Sequence, residues 1–165
     1  MYEAQINKAE LLNEQQVMEF KMLASQINPH FLYNTLETIR MKAFKANDRE
    51  VARAIKLLGK SMRYVLENTG TSFTTLSKEL EHIKVYLDIQ KLRFTDKFDS
   101  EIEVMEDIDP GKLLILPLLL QPVVENAILH GLEEKEKGGL IHILVRKQLE
   151  EEELLCIEVS DNGME

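Results

Sequence analysis

In "QINPHFLYNTL" (residues 26–36) a proline stands directly before a histidine. His30 brings nucleophilic chemistry to this stretch, because a neutral imidazole carries an available nitrogen lone pair near neutral pH and attacks phosphorus well. Asn34 follows one helical turn later and Glu37 a further turn on, so in a helix both stack on the ring's side. An amide at Asn34 could hydrogen-bond one ring nitrogen and so decide which nitrogen reacts. Two accounts of His30 stay open at this point. It is a nucleophile presented to another protein or domain, or it is a solvated ring beside a bend in a bundle helix.

The elements that would position it follow from periodicity. From Tyr2 to about Ala46 the chain has strong helix formers and no glycine, with Leu11, Met18, Met22, Leu32, Leu36, Ile39 and Ala43 on one seam. Gln15, Ser25 and Pro29 are the polar or broken members of that seam. One long helix through Pro29 is expected to bend there, since an interior proline removes a donor and crowds the preceding turn at a cost of about 3 kcal/mol. On this register His30 sits beside the seam and faces outward. "KANDRE" (45–50) reads as a turn in which Asp48 caps a second helix ending near Asn68. A long apolar stripe needs a partner, so the hairpin is expected to dimerise into a four-helix bundle.

"NTGTS" (68–72) marks a boundary of small polar residues around Gly70. Beyond it the chain predicts a short strand near 73–76, then a helix capped by Ser77, with Glu79 and Glu81 in its first turn, reaching about Phe94. "DSEIEVME" (99–106) alternates like a strand, and "LPLLLQPVVENAILHGL" (116–132) predicts a buried helix whose prolines mark its first turns. "LIHILVRKQLE" and "ELLCIEVSDNG" predict two strands joined through the acidic residues 150–153. The second half is therefore mixed α and β.

Composition limits the function classes. The 165 residues are 44% hydrophobic and 30% charged, which suits a folded domain or two small ones. A net charge of −9 with no clustered basic face argues against a nucleic-acid partner. The lone Cys156 forms no internal disulfide, as in a reducing cytosol, and reads as a small apolar strand residue. The most apolar run, 113–124, is broken by Pro117, Gln121 and Pro122 and is too short to cross a bilayer. No basic-then-apolar secretory segment opens the chain.

"QINPHFLYNTL", "SMRYVL", "KELEHIKVYLDIQKLRF", "LPLLLQPVVENAILHGL" and "VSDNG", in that order, resemble the LytS/YesM-like branch of bacterial sensor histidine kinases. The resemblance implies an α+β chain: residues 1–70 a dimeric phosphotransfer hairpin, with 1–24 an entering signalling helix, and 71–165 the first part of an ATP-binding domain of the gyrase type, truncated after its first glycine box. His30 would be the phosphoacceptor and Asn34 its neighbour. Asn126 would be the Mg²⁺ ligand, since an amide oxygen is a hard neutral donor that shares Mg²⁺ with water and phosphate. Glu125 would bind metal-bound water or polarise the imidazole proton, or stay a helix-surface carboxylate. His130 would sit near the phosphates or simply close the helix before Gly131. Asp161 would accept from the adenine amino group and Gly163 let the backbone approach the ring; alone, Asp-Asn-Gly is a turn signal. His82 and His142 match no motif and read as structural or surface residues.

The implied cofactors are ATP and Mg²⁺, and the implied partners are a second copy and the receiver domain of a response regulator. This portion would be cytoplasmic and the intact protein membrane-embedded through segments outside it. Departures from the family pattern are Tyr33 in place of phenylalanine, Glu37 in place of asparagine, Phe31 where many histidine kinases carry an acid, Pro122 in place of a polar residue, and Glu165 in place of a glycine. Two other classes stay open: an inactive helical dimerisation scaffold, and an ATP-hydrolysing clamp of the gyrase type. Pro122 and the "NPHF" motif argue against the clamp.

Overall fold

The computed structural model describes residues 28–94, 97–131, 137–148 and 151–163. The chain divides into one unit ending at Ser72 and another beginning at Phe73. The expected entering helix 1–24, with Leu11, Met18 and Met22, lies outside the described residues, as does Ser25.

The first unit holds α1 (Pro29–Lys45) and α2 (Arg49–Asn68). The expected helix running through Pro29 is corrected at Asn28. That residue is extended, with φ −67° and ψ 104°. Its side-chain oxygen accepts from the N–H groups of His30 and Phe31 at 3.1 and 3.2 Å. Pro29 therefore occupies the first helical position, where a missing N–H costs no helix bond, and it disfavours α geometry in the residue before it. There is no interior kink at Pro29, because α1 begins there.

Lys42 and Lys45 stand in the last turn of α1, where cations complement the carbonyl end. Asn47, at φ 59°, turns the chain in a conformation that asparagine tolerates better than most residues. Asp48 then caps α2 as expected, accepting from Val51 N–H at 3.1 Å. The two helices pack on each other. Ala52 of α2 is buried, and no residue of α1 is.

The second unit is built on a three-stranded sheet in the order β2-β4-β5, where β2 is Phe98–Val104, β4 Gly139–Gln148 and β5 Glu151–Asp161. β2 and β4 run parallel, from Phe98↔Gly139 to Val104↔Val145. β4 and β5 run antiparallel, from Ile141↔Asp161 to Lys147↔Leu155, with an irregularity after Lys147. The parallel pair is connected through helix α4 (Gln121–Gly131), as a parallel pairing requires.

Helix α3 (Leu76–Arg93) buries Leu76, Leu80, Ile83 and Leu87 at helical spacing. These meet Val124 and Ile128 of α4 and Ile141, Ile143 and Val145 of β4 in one core. β4 alternates buried and half-buried residues with the period of a strand, the buried set lying on the core face. The opposite face carries exposed or part-exposed ion pairs such as Arg146–Glu158 at 3.7 Å, a kind that adds little stability.

Three local expectations change. The strand near 73–76 is β1 (Thr74–Thr75), paired with a short strand, β3 (Leu114–Ile115), that periodicity did not suggest. That pairing keeps Thr75 extended, so Thr75 rather than Ser77 caps α3, its hydroxyl accepting from Lys78 N–H at 3.3 Å. The apolar helix begins at Gln121 rather than at residue 116, because Leu118 has φ 61° and the chain turns before the helix starts. Among the described residues, no helix is long and apolar enough to cross a membrane.

Candidate functional site

The candidate residues fall into two groups, one in each unit. His30 lies in the first turn of α1 and is exposed. Its backbone N–H is taken by the Asn28 cap, which fixes the start of the helix under the ring. Asn34 approaches it as helical spacing predicts, with its amide nitrogen 3.4 Å from Nδ1 and 3.4 Å from Nε2. At these equal and long distances the amide lies beside the ring without selecting between its nitrogens.

Glu37 turns to Arg40 instead, accepting from its Nε at 2.8 Å. That hydrogen bond holds the Glu37 carboxyl below the usual carboxylate range. Tyr33 stacks under the Arg63 guanidinium of α2, 4.9 Å from the ring centroid. The tyrosine thereby ties α1 to α2 just behind the histidine face, a cation–π role that phenylalanine could share.

In the second unit Pro122, Asn126 and His130 recur at four-residue steps along α4, and all three are exposed. Val123 and Leu129 flank them and are exposed too. Glu125 points elsewhere, being half-buried and accepting from Gln121 Nε2 at 2.9 Å. Because that carboxylate orients the Gln121 amide, its Oε1 faces His82, so His82 Nε2 donates to it at 2.8 Å. Tyr86 of α3 hydrogen-bonds the same carboxylate. Burial first, then the Glu125 charge and hydrogen bond, push the Tyr86 hydroxyl up to about 12. His82 is thus a buried structural histidine, whereas His142 is a partly exposed strand residue 3.4 Å from Glu103.

Asp161 ends β5. It pairs with Ile141, so both point to the sheet face that carries the core, and α4 packs on β5 on that side. Gly163 N–H donates to Asp161 Oδ1 at 2.9 Å. Asn162, which the sequence did not single out, accepts from Leu140 N–H at 2.7 Å and donates to Gly138 C=O at 3.1 Å. It staples the start of β4 to the end of β5 and so sets where Asp161 stands. Asn126 and Asp161 therefore share one side of one sheet, while His30 and Asn34 belong to the other unit.

Glu79 was missed as well. Its first-turn position suggested a dipole partner, yet it is fully buried and its carboxylate accepts from Leu118 N–H at 3.0 Å and Leu120 N–H at 3.1 Å. The available signal was an acid inside the apolar stripe of Leu76, Leu80 and Ile83.

Mg²⁺ is compatible with this donor set. Among the described residues no group of three or more His, Cys, Asp or Glu is arranged to hold a metal by itself. A lone exposed amide is the kind of ligand Mg²⁺ accepts when substrate phosphates and water complete its shell.

The histidine kinase family profile matches residues 18–98, a stretch that includes His30 and the whole segment "KELEHIKVYLDIQKLRF" of α3 and its C-cap. The uncharacterized protein YwpD of Bacillus subtilis is 36% identical over 156 residues, which are 92% of this chain and 52% of that protein. The sensor histidine kinase BtsS of Escherichia coli is 33% identical over 145 residues, 88% of this chain and 25% of its own length. The sensor protein LytS of Staphylococcus haemolyticus is 35% identical over 146 residues, 88% of this chain and 24% of its own length. The chain thus spans about half of the first relative and about a quarter of the other two. The ordered segments, the family profile and these relatives agree: the chain belongs to the LytS/YesM-like family of sensor histidine kinases.

Proposed function

We propose that this chain is the phosphotransfer and nucleotide-binding core of a sensor kinase that phosphorylates His30 from ATP and hands the phosphoryl group to an aspartate of a response regulator. The observation that carries the reading is the exposed His30 ring at a capped helix start, with Asn34 one turn away. A ring nitrogen of His30 attacks the γ-phosphorus, an N–P bond forms, the bond to the β-phosphate oxygen breaks and ADP leaves. The proton on the other ring nitrogen departs to water from the exposed ring. Asn34 holds the imidazole plane during attack, a positioning contribution of the kind that dominates phosphoryl transfer.

Asn126 would hold Mg²⁺, which when bound neutralises the charge of the triphosphate. His130, one turn on, sits on the same exposed face and would lie near the phosphates. Glu125, oriented by Gln121 and Tyr86, is the candidate acid–base group of α4. Asp161, whose Oδ1 accepts from Gly163 N–H, would accept from the adenine amino group, and Gly163 would leave room for the ring. The hairpin pairs with a second copy into a four-helix bundle, for which the exposed Phe31, Ile39 and Leu58 supply apolar surface.

The test is incubation with γ-labelled ATP and Mg²⁺, with the catalytic domain of a sensor-kinase relative supplied in trans. An acid-labile, alkali-stable label on wild type that disappears in His30→Ala is the expected result. A label that survives that substitution, or none on a folded dimer, would move the reading to a scaffold.

A further inference from the structure

The start of α4 is an awkward piece of backbone. Leu118 is a non-glycine residue at φ 61°, a left-handed conformation in which a leucine side chain crowds its own backbone. The turn that contains it carries N–H groups with no helical partner, because α4 begins only at Gln121. Two of these groups, on Leu118 and Leu120, are satisfied by one side chain, the carboxylate of Glu79 in α3, at 3.0 and 3.1 Å. Glu79 is fully buried, and Leu120 beside it is buried as well. A carboxylate is costly to place there unless its oxygens are hydrogen-bonded, and charge-assisted bonds of this kind are the strong ones.

The same helix is held a second time along its inner face. His82 and Tyr86, one turn apart on α3, reach Gln121 and Glu125, one turn apart on α4. Glu79 sets where α4 begins and the second contact sets its rotation. Asn126 follows Glu125 directly and faces outward, so its amide position depends on both. A helix start shifted by one residue would rotate Asn126 by about 100° away from the outer face.

We propose that Glu79 is a positioning residue for the Mg²⁺–nucleotide site: by holding the Leu118 and Leu120 N–H groups it sets the register in which α4 presents Asn126. The inference rests on the reading of Asn126 as the metal ligand and adds a residue from a different helix to that site. Glu79 touches neither metal nor phosphate and acts only through the turn.

The experiment measures ADP affinity of the chain by calorimetry, with Mg²⁺ and with EDTA, for wild type, Glu79→Gln and the double variant Glu79→Gln/Leu118→Gly. Amide exchange at Leu118 and Leu120 is read on the same samples. Glu79→Gln keeps the shape but replaces one of the two accepting oxygens with an NH2 group that cannot accept, so protection should be lost at whichever of the Leu118 and Leu120 amides faces the nitrogen. It should also lose the Mg²⁺-dependent gain in affinity by roughly tenfold, while affinity in EDTA, carried by the Asp161 end of the site, stays within about twofold. Glycine at 118 adopts positive φ without strain, so the double variant should recover part of the Mg²⁺-dependent gain. A merely structural role would lower affinity equally with and without Mg²⁺ and would overturn the proposal. An unchanged Mg²⁺-dependent gain in Glu79→Gln would overturn it too, leaving the Asn126 reading intact. Wild type that gains nothing from Mg²⁺ would instead sink the Asn126 reading, and this inference with it. Should Glu79→Gln fail to fold, Glu79→Asp, which keeps the charge and withdraws the oxygens by one methylene, is read by the same criteria.

Discussion

The two units bury their apolar residues to very different degrees. In the sheet unit, Leu76, Ile83, Leu87, Val124, Ile141, Ile143 and Val145 have lost essentially all contact with water, and they form one cluster drawn from two helices and a strand. Among the described residues of the hairpin only Ala52 is buried, while Phe31 stays 65% exposed and Phe44 55%. Two helices alone have one shared seam, and a single seam cannot cover side chains on both sides of each helix. A sheet with helices across one face closes its own core. On the proposed reading, the exposed apolar residues of α1 and α2 are the surface that a second copy would cover.

That contrast can be broken most forcefully in the core. Ile143→Ala removes a side chain with 0% exposure from the central strand and should cost about 3 kcal/mol. Amide exchange should rise across β2 and β4 and leave α1 and α2 nearly unchanged; equal loss of protection in both units would show that they do not fold independently.

Ile39→Asp probes the other side of the comparison. It places a charge on the hairpin's exposed stripe and should shift a dimer to monomer in light scattering after gel filtration, with little change in the sheet unit's melting. A dimer that persists at the same concentration would mean that copies associate through some other surface.

A smaller effect is expected at the cap. Asn28→Ala leaves the His30 and Phe31 N–H groups without their acceptor and should destabilise α1 by about 1 kcal/mol. Circular dichroism would register a frayed helix start. No change in the helical signal or in labelling of His30 would separate the cap from the acceptor.

The least disruptive change is Glu125→Gln, read by absorbance titration of tyrosine. The Tyr86 hydroxyl, raised to about 12 chiefly by burial and then by Glu125, should ionise at lower pH once the neighbouring charge is gone, while its burial keeps it above the ordinary tyrosine value. The sign of the pH dependence follows. The folded chain holds this proton more tightly than the unfolded one, so the stabilisation is complete below about 10 and is lost as pH rises toward 12. An unchanged Tyr86 titration in Glu125→Gln would contradict the contribution of Glu125.

Local chemistry was readable where it depends on near neighbours. Asp48 announces the start of α2, and the alternation of "LIHILV" announces β4. The apolar spacing of residues 76, 80, 83 and 87 announces the buried face of α3. Pro29 is legible as a helix breaker, but the periodicity on either side of it suggests one continuous helix. The physics of the residue before proline, together with an asparagine able to cap, favours a fresh start at that point. His30 and Asn34 belong to the readable kind, since a four-residue spacing in a helix brings them together whatever the rest of the chain does.

By itself, then, the sequence determined the types of the longer elements, the Asp48 cap and the pairing of side chains one turn apart, because these are set by forces acting within a few residues. Only the tertiary structure decided that β2 runs parallel to β4, that Thr75 ends in a strand and so caps α3, and that α4 waits until Gln121. It alone also showed Glu79 reaching residues 39 and 41 positions away to hold the turn before the asparagine helix. Contacts of that kind depend on which surfaces meet once the core has closed, and no local preference of Glu79, Leu118 or Leu120 encodes them.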